Sequence, residues 1–228
     1  MKWAMLLCLA VGCGHTNTVE AAPITKAPTI EVKPIDKANV CVTKGAIKDG
    51  VVGEPTMRGY AVGAGGDAVS LTFTYKGETE NTRELASGEA RRQIGLKLRA
   101  QDSCNVVYVM WRLDPRPKLD VSVKFNPNMS THEQCGANGY TKVRAYKKTF
   151  IPAFEYGKTH TMRAEIVGDE LFAWIDGKLL WQSRLPEAAR LIHGPAGIRS
   201  DNVQFDIVEL ATSAGNGAGE CKREGASD

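Results

Sequence analysis

The sequence predicts an antiparallel all-β domain, a sandwich or a barrel, flanked by segments without regular structure. Apolar and polar residues alternate through one segment after another, turn-forming pairs separate these segments, and almost no stretch has helical periodicity. The 228 residues include 23 glycines, and the 43% hydrophobic and 24% charged fractions exclude a wholly disordered chain. The formal net charge of +3 is too balanced to indicate a nucleic-acid partner.

The predicted strands follow one another along the middle of the chain. Alternation of this kind marks strands with one buried and one wetter face. Asp176-Gly177 predicts a two-residue hairpin between apolar segments. Pro186 to Ile192 is the one segment with a helical pattern. The alternating segments are 69–75, 93–99, 107–113, 118–125, 161–166 and 203–207.

The N-terminus has the pattern of an export signal. Lys2 precedes an apolar stretch from Trp3 to Val11, which is too short to span a bilayer. The stretch leads into Leu9-Ala10-Val11-Gly12-Cys13, which resembles the lipobox of bacterial lipoproteins. That resemblance implies cleavage before Cys13 and a lipid anchor on its thiol, in the bacterial envelope and preferably the outer membrane. An ordinary secretory signal or a buried N-terminal strand are the alternatives.

Changes in composition divide the chain into four parts. Residues 1–12 are expected to be a signal peptide, and the proline-spaced residues 13–39 a tether. Residues 40–211 are expected to fold as one domain, and the Gly/Ser/Ala-rich residues 212–228 to form a flexible tail.

Six cysteines fit an oxidising compartment. Without Cys8 and Cys13, an even number remains, and four cysteines allow three pairings. Cys104 and Cys135 bracket a predicted strand pair, and Cys41 and Cys221 lie near the two ends of the folded part. We therefore predict the pairs Cys104–Cys135 and Cys41–Cys221, with four free thiols as the alternative.

The last third of the chain carries a second resemblance. Residues 161–178 hold an apolar strand, a glycine turn and the Asp-Gly hairpin, and Gly194-Pro195-Ala196-Gly197-Ile198-Arg199 is followed by 203–206. Together they resemble the concanavalin A-like jelly rolls, including laminin-G-like domains and the bacterial domain named after a 3-keto-disaccharide hydrolase. The resemblance implies a jelly-roll β-sandwich and, because such domains often bind glycans on a concave sheet, a carbohydrate ligand.

Three side chains are candidates for such a ligand. Tyr108 and Arg112 share the strand phase opposite the apolar Val107, Val109 and Trp111, and Trp174 lies in the apolar hairpin. Aromatic faces suit the C–H surfaces of sugars, and polar groups suit their hydroxyls. We expect these three side chains to be partly exposed on one surface. The alternative is that they pack between the sheets.

The sequence offers little for catalysis. A strand with Glu-x-Asp-x-Glu is missing, and Glu165 and Asp176 are the carboxylates that could meet across a hairpin. His132 with nearby cysteines could ligate zinc, but a disulfide explains those cysteines better. We predict no catalytic residue, metal or cofactor. The leading expectation is therefore an anchored lipoprotein that binds carbohydrate or an envelope component. A glycoside hydrolase and a purely structural envelope protein are the alternatives, and the oligomeric state is left open.

Overall fold

The computed structural model describes residues 29–215, 217 and 221, and it is an antiparallel β-sandwich as predicted. One sheet has eight strands and the other has seven. Within the described part of the chain, no helix is long and apolar enough to cross a membrane.

The strands cover most of the described chain and are joined by short turns and a few longer loops. Their bounds are β1 Lys33–Pro34, β2 Val40–Lys44, β3 Val51–Val52, β4 Thr56–Ala61, β5 Ala68–Glu78, β6 Gln93–Leu98, β7 Val106–Arg112, β8 Lys118–Lys124, β9 Tyr140–Val143, β10 Lys147–Lys148, β11 Thr159–Val167, β12 Glu170–Ile175, β13 Lys178–Arg184, β14 Gly197–Asp201 and β15 Val203–Thr212. The eight-stranded sheet has the order β1-β15-β5-β11-β12-β13-β10, with β3 also paired to β15. The seven-stranded sheet has the order β2-β4-β14-β6-β7-β8-β9.

Helical structure is limited to three short segments in the described residues. The predicted helix is a 3-10 helix, η2, at Glu187–Leu191, and η1 covers Lys37–Asn39. The short α-helix α1, His132–Cys135, was not predicted, although its Thr131 and Gln134 form a capping box.

The core lies between the two sheets and is built from the apolar phase of each strand. Val107, Val109 and Trp111 of β7 face it, as their alternation predicts. Phe73 of β5 contacts the Trp111 ring edge to face at 6.1 Å between centroids. The hairpin at Asp176-Gly177 has the positive φ angles of 49° and 76° that a tight turn between β12 and β13 requires.

The N-terminal side of the described domain is fixed more firmly than the sequence indicates. β1 pairs with β15 inside the segment that was expected to be a tether, and the Ile30 N–H donates to the buried Glu165 carboxylate at 3.1 Å. The folded domain therefore includes residues well before Val40. The predicted signal peptide, Cys13 and the tether up to residue 28 lie outside the described residues, as does most of the tail.

Both predicted disulfides are confirmed. Cys41 and Cys221 have Cα atoms 5.2 Å apart, and those of Cys104 and Cys135 are 5.8 Å apart. In the described residues no cluster of three or more His, Cys, Asp or Glu side chains could hold a metal ion.

Candidate functional site

A groove of about 510 Å³ covers the outer face of the seven-stranded sheet. Its floor consists of side chains in the polar phase of the strands, and its two walls are loops. The first wall is the loop between β5 and β6, residues 79–92, and the second is the loop between β8 and β9, residues 125–139. We call this feature the groove.

The floor contains an arginine that reaches across a glycine. Arg199 on β14 is opposite Gly95 on β6, and Gly95 is opposite Met110 on β7. A Cβ atom at Gly95 would lie 2.3 Å from the Met110 sulfur, so a side chain does not fit there. The Arg199 guanidinium carbon lies 5.1 Å from the centre of the Tyr108 ring, an arrangement typical of a cation–π contact.

Arg199 also neutralises a fully buried carboxylate. Its Nε donates to Asp201 Oδ2 at 3.0 Å, and Gln93 Nε2 donates to the same oxygen at 2.6 Å. Burial alone would lower the pKa of Arg199, but Asp201 and the nearby tyrosines outweigh it, and the pKa lies above its ordinary value. The guanidinium is therefore a permanent charge in the floor.

Tyr108 belongs to this floor as a packing residue. Its side chain is 4% exposed and contacts a small apolar cluster of Ala100, Val106 and Met110. Burial raises its pKa to about 12, and Arg199 acts in the opposite direction. The expectation that Tyr108 is partly exposed is wrong, because Arg199 and Tyr140 lie against its ring.

Arg112 is also buried, and it forms ion pairs with two acidic side chains. It is 5% exposed, and its Nη1 donates to Asp120 Oδ2 at 2.9 Å on the neighbouring strand β8. Glu89 of the first wall lies 3.7 Å from its Nη2. These ion pairs fasten a wall to the floor, so the expected exposure of Arg112 is also wrong.

Trp174 lies on the other sheet. Its strand, β12, belongs to the eight-stranded sheet, where Trp174 is half-buried and stacks on Phe172 at 6.0 Å between ring centroids. Leu171, Ala173 and Ile175 take the core phase of this strand. Tyr108, Arg112 and Trp174 therefore do not share one surface, and the predicted three-residue platform does not exist.

Tyr140 is the exposed aromatic residue that the groove does contain. It lies on the edge strand β9, is 44% exposed, and stacks on Tyr108 at 6.2 Å with 25° between the ring planes. The buried Lys124 places its Nζ 5.3 Å from the centre of the same ring. A signal was present in the sequence, since Tyr140 and Lys142 alternate with Thr141 and Val143, but four residues are too few to predict a strand.

The buried side chain of Asn202 holds the base of the first wall. Its Nδ2 donates to the carbonyls of Arg83 and Arg91 at 2.8 and 3.1 Å, and its Oδ1 accepts from the Arg83 N–H at 2.7 Å. Asn202 has a φ of +54°, a conformation that asparagine tolerates better than most residues. One residue thus closes the base of the whole loop.

The second wall is held by the Cys104–Cys135 disulfide and by a buried lysine. Lys124 is 1% exposed, and its Nζ donates to the carbonyls of Ser103 and Gly136 at 3.0 and 2.8 Å. Asn105 adds a hydrogen bond from its Nδ2 to the Met129 carbonyl at 2.8 Å. These contacts join the end of β8 and the residues just before β7 to the second wall.

A second cleft, of about 470 Å³, lies where loops from both sheets meet. Its charged residues are paired with one another, Arg99 with Asp67 at 2.6 Å and Arg190 with Asp169 at 3.1 Å. Its lining residues include no Phe, Tyr or Trp. The groove is therefore the better candidate site for a sugar.

The carboxylates considered for catalysis do not meet. Glu165 is opposite Phe172 in the hairpin and binds Ile30 and Arg163, whereas Asp176 accepts from the Thr161 N–H and binds His160 at 2.9 Å. Both have local structural partners.

Comparisons with known proteins agree with the fold. No family model matches the chain, and no curated protein matches it. Among solved structures, the carbohydrate-binding module CBM66 from Bacillus subtilis superposes with a TM-score of 0.52 at 12% identity, over 77% of this chain and 96% of that one.

Two further structures show weaker likeness. A galectin from the sponge Cinachyrella has a TM-score of 0.41 at 13% identity, over 70% of this chain and 99% of that one. A domain of an extracellular arabinanase from Geobacillus stearothermophilus has a TM-score of 0.38 at 12% identity, over 84% and 78%. At these identities the likeness concerns the jelly-roll fold alone.

Proposed function

We propose that this protein is a carbohydrate-binding protein and that the groove is its binding site. The observation that carries the proposal is Tyr140, an aromatic ring 44% exposed in a walled groove and surrounded by polar and charged groups. Apolar sugar faces stack on such rings while hydroxyls bond to the polar groups around them. The similarity in fold to a carbohydrate-binding module supports the proposal.

Binding suits the groove better than hydrolysis. Glycosidases use two carboxyl groups on opposite sides of the scissile bond, one of them protonated. The carboxylates among the described lining residues are Glu84 and Asp120, and Asp120 is paired with Arg112 at 2.9 Å and with Lys118 at 3.7 Å. Asp120 is therefore already occupied by ion pairs with its neighbours on the sheet, and the two lining carboxylates do not form a catalytic pair.

The test is a glycan array with the purified full-length protein and two tyrosine variants. Tyr140→Ala removes the exposed ring of the groove, and Tyr156→Ala removes a tyrosine that is 75% exposed outside it. We expect Tyr140→Ala to weaken binding about thirtyfold, the size of a central aromatic contact, and Tyr156→Ala to bind like the parent.

Two results would contradict the proposal. One is a parent protein that retains no saccharide on the array. The other is equal weakening by both variants, which would show that the groove is not the site. Thermal denaturation of both variants checks that each one folds.

We propose further that the chain is exported and anchored in the bacterial envelope by lipid on Cys13. The support is the lipobox-like sequence before Cys13 and the two disulfides, which persist in oxidising compartments. Metabolic labelling with a palmitate analogue tests it, with Cys13→Ser expected to lose the label. Equal labelling of the parent and the variant would refute the anchor.

A further inference from the structure

One lateral side of the sandwich carries exposed aromatic rings and cations. Within three residues the chain passes from β9, the edge of the seven-stranded sheet, to β10, the edge of the eight-stranded sheet. Residues 144–150 therefore lie along a side where edges of the two sheets meet. The exposed aromatic and cationic residues of this segment are Arg144, Tyr146, Lys147, Lys148 and Phe150, and we call them the lateral strip.

The ring of Phe150 is held outside the core by the backbone around it. Phe150 is 82% exposed, the largest value among the large hydrophobic residues that the structure describes. The next residue, Ile151, is buried in the core, and the Pro152 carbonyl accepts from Trp111 Nε1 at 2.8 Å. On the other side, the Thr149 N–H donates to β13 at 3.2 Å. The segment is therefore fixed on both sides of Phe150, so little ordering is needed before the ring meets a partner.

The cations of the lateral strip have no acidic partners. Arg144, Lys147 and Lys148 are exposed and form no ion pair or side-chain hydrogen bond within the described part of the chain. The sequence from residue 140 to residue 154 contains no Asp or Glu. The strip therefore presents three positive charges to its surroundings.

Protection of the sheet edge explains only part of this pattern. Lysine on an edge strand blocks pairing with a strand of another molecule, but this role does not require an exposed ring. Leaving Phe150 in water forgoes the free energy that its burial would contribute. Tyr146 adds a second ring, 59% exposed, whose hydroxyl donates to Glu170, and Glu170 is itself 3.8 Å from Arg184. Rings and cations together need another explanation.

Exposed rings beside cations are typical of protein surfaces that lie on a bilayer. The rings enter the boundary between headgroups and acyl chains, while Lys and Arg stay among the headgroups. We infer that the lateral strip docks on a membrane whose lipids carry anionic headgroups, with Phe150 inserted at the headgroup boundary. This surface is separate from the groove and does not depend on saccharide binding. The proposed lipid on Cys13 would only bring it close to the membrane.

The proposed anchor is long enough to place the strip on the bilayer. The Ile30 N–H is bound by Glu165 of β11, and β10 is three strand spacings away, ~14 Å at ~4.8 Å each. The chain from residue 13 to residue 28 could span at most ~55 Å. A lipid together with a cationic patch holds a protein on a membrane more stably than a single lipid chain alone. The groove covers the outer face of the other sheet, so both surfaces could be occupied at once.

The first test measures binding of the full-length protein to two kinds of vesicle by co-sedimentation. One kind contains phosphatidylcholine alone, and the other an equal mixture of phosphatidylcholine and phosphatidylglycerol. Each cation near an anionic surface strengthens binding about fivefold, so we expect the anionic vesicles to bind the protein at least about tenfold more tightly. The N-terminal segment is the same in every variant below, so its own contribution to binding cancels in the comparisons.

Two double variants of equal net charge locate the electrostatic part. The first combines Lys147→Glu with Lys148→Glu on β10. The second combines Lys37→Glu with Lys48→Glu, next to β1 and β3 and therefore near the opposite edge of the sheet. All four lysines are exposed, so neither variant should disturb the core. We expect the first to weaken binding to anionic vesicles at least about tenfold and the second less than about threefold.

Two serine variants test the apolar part. Phe150→Ser removes the ring of the strip, and Val208→Ser changes an apolar side chain that is 52% exposed on β15, far from β10. We expect Phe150→Ser to weaken binding about tenfold and Val208→Ser less than about twofold. Hydrogen exchange gives a local readout, because amides of residues 144–150 should exchange more slowly when anionic vesicles are present.

Each other outcome overturns a definite statement. Equal binding to the two kinds of vesicle would refute the preference for anionic lipid, and equal effects of the two double variants would refute the location. If polyglutamate displaced the protein from the vesicles and Phe150→Ser had no effect, the strip would suit an acidic protein and the membrane would be refuted as its partner. Loss of palmitate labelling without loss of vesicle binding would refute only the anchor.

Discussion

The Arg199 guanidinium lies over the ring of Tyr108, two strands away, by crossing the glycine on the strand between them. This contact joins β14 to β7 across β6. Because Arg199 also neutralises Asp201, the stability of the floor and its charge depend on the same side chain.

The first prediction concerns the buried Arg199–Asp201 pair. Arg199→Met should lower the free energy of unfolding by about 3 kcal/mol, because it leaves the buried Asp201 carboxylate without its cation. Urea denaturation at neutral pH measures the loss. Adding Asp201→Asn should recover part of it, since the double variant has no buried charge to neutralise. A loss below about 1 kcal/mol for Arg199→Met would show that the pair is unimportant.

The second prediction concerns alkaline pH. Tyr108 has a pKa of about 12 in the fold against 10.0 ordinarily, so the unfolded chain loses this proton first. The stability that the protonated Tyr108 hydroxyl contributes to the fold is fully present below pH 10 and is lost as the pH rises toward 12. From pH 9 to 11 the parent should therefore lose roughly 1 kcal/mol more unfolding free energy than Tyr108→Phe, which cannot ionise. If the unfolding free energies of the parent and of Tyr108→Phe fell equally with pH, the raised pKa of Tyr108 would be contradicted.

The third prediction ranks the disulfides. They close loops of sequence separation 31 and 180, and the chain-entropy relation gives about 4 and about 5 kcal/mol for the two bridges. Replacing Cys41 and Cys221 by Ser should therefore destabilise the fold more than replacing Cys104 and Cys135. Only the second pair holds a groove wall, so only its removal should also weaken saccharide binding. The opposite order of stabilities would show that loop length is not the governing quantity.

The fourth prediction separates two roles of Asn202. Asn202→Ala and Asn202→Gly both remove the three hydrogen bonds to Arg83 and Arg91, but only alanine strains the backbone at a φ of +54°. Alanine should therefore be the more destabilising by about 1 kcal/mol. Hydrogen exchange should show faster opening of residues 83–91 in both variants. Unchanged exchange there would mean that other contacts hold this wall.

Local patterns were sufficient for the longer alternating strands and for the hairpin. The alternation around Val107, Val109 and Trp111 placed each side chain on the correct face of β7, because the period of two is a property of a single strand. The Asp176-Gly177 turn is equally local, since it depends on two φ angles. Such features need no knowledge of the rest of the chain.

The candidate site could not be predicted in this way, because it depends on contacts between segments that are distant in the sequence. Trp174 and Tyr108 lie in different sheets, and strand order is decided by pairings such as β14 with β4 and β6. Tyr108 is covered by Arg199, which is 91 positions further along the sequence. Alternation shows that a side chain points away from the core, but it does not show whether a distant arginine or loop covers it.

The Cys41–Cys221 bridge also determines how the protein carries a mechanical load. Cys41 lies in the seven-stranded sheet, and Cys221 follows the last strand of the eight-stranded sheet. A pull on the N-terminal side, as flow or a moving partner would exert on a tethered domain, meets this bridge after β1 has peeled from β15. The bridge transmits part of the force from Cys41 to Cys221. The strand β2 can therefore separate from its sheet only if the segment around Cys221 moves with it. Reduction of this one bond would leave β2 attached to the edge of its sheet through its pairing with β4.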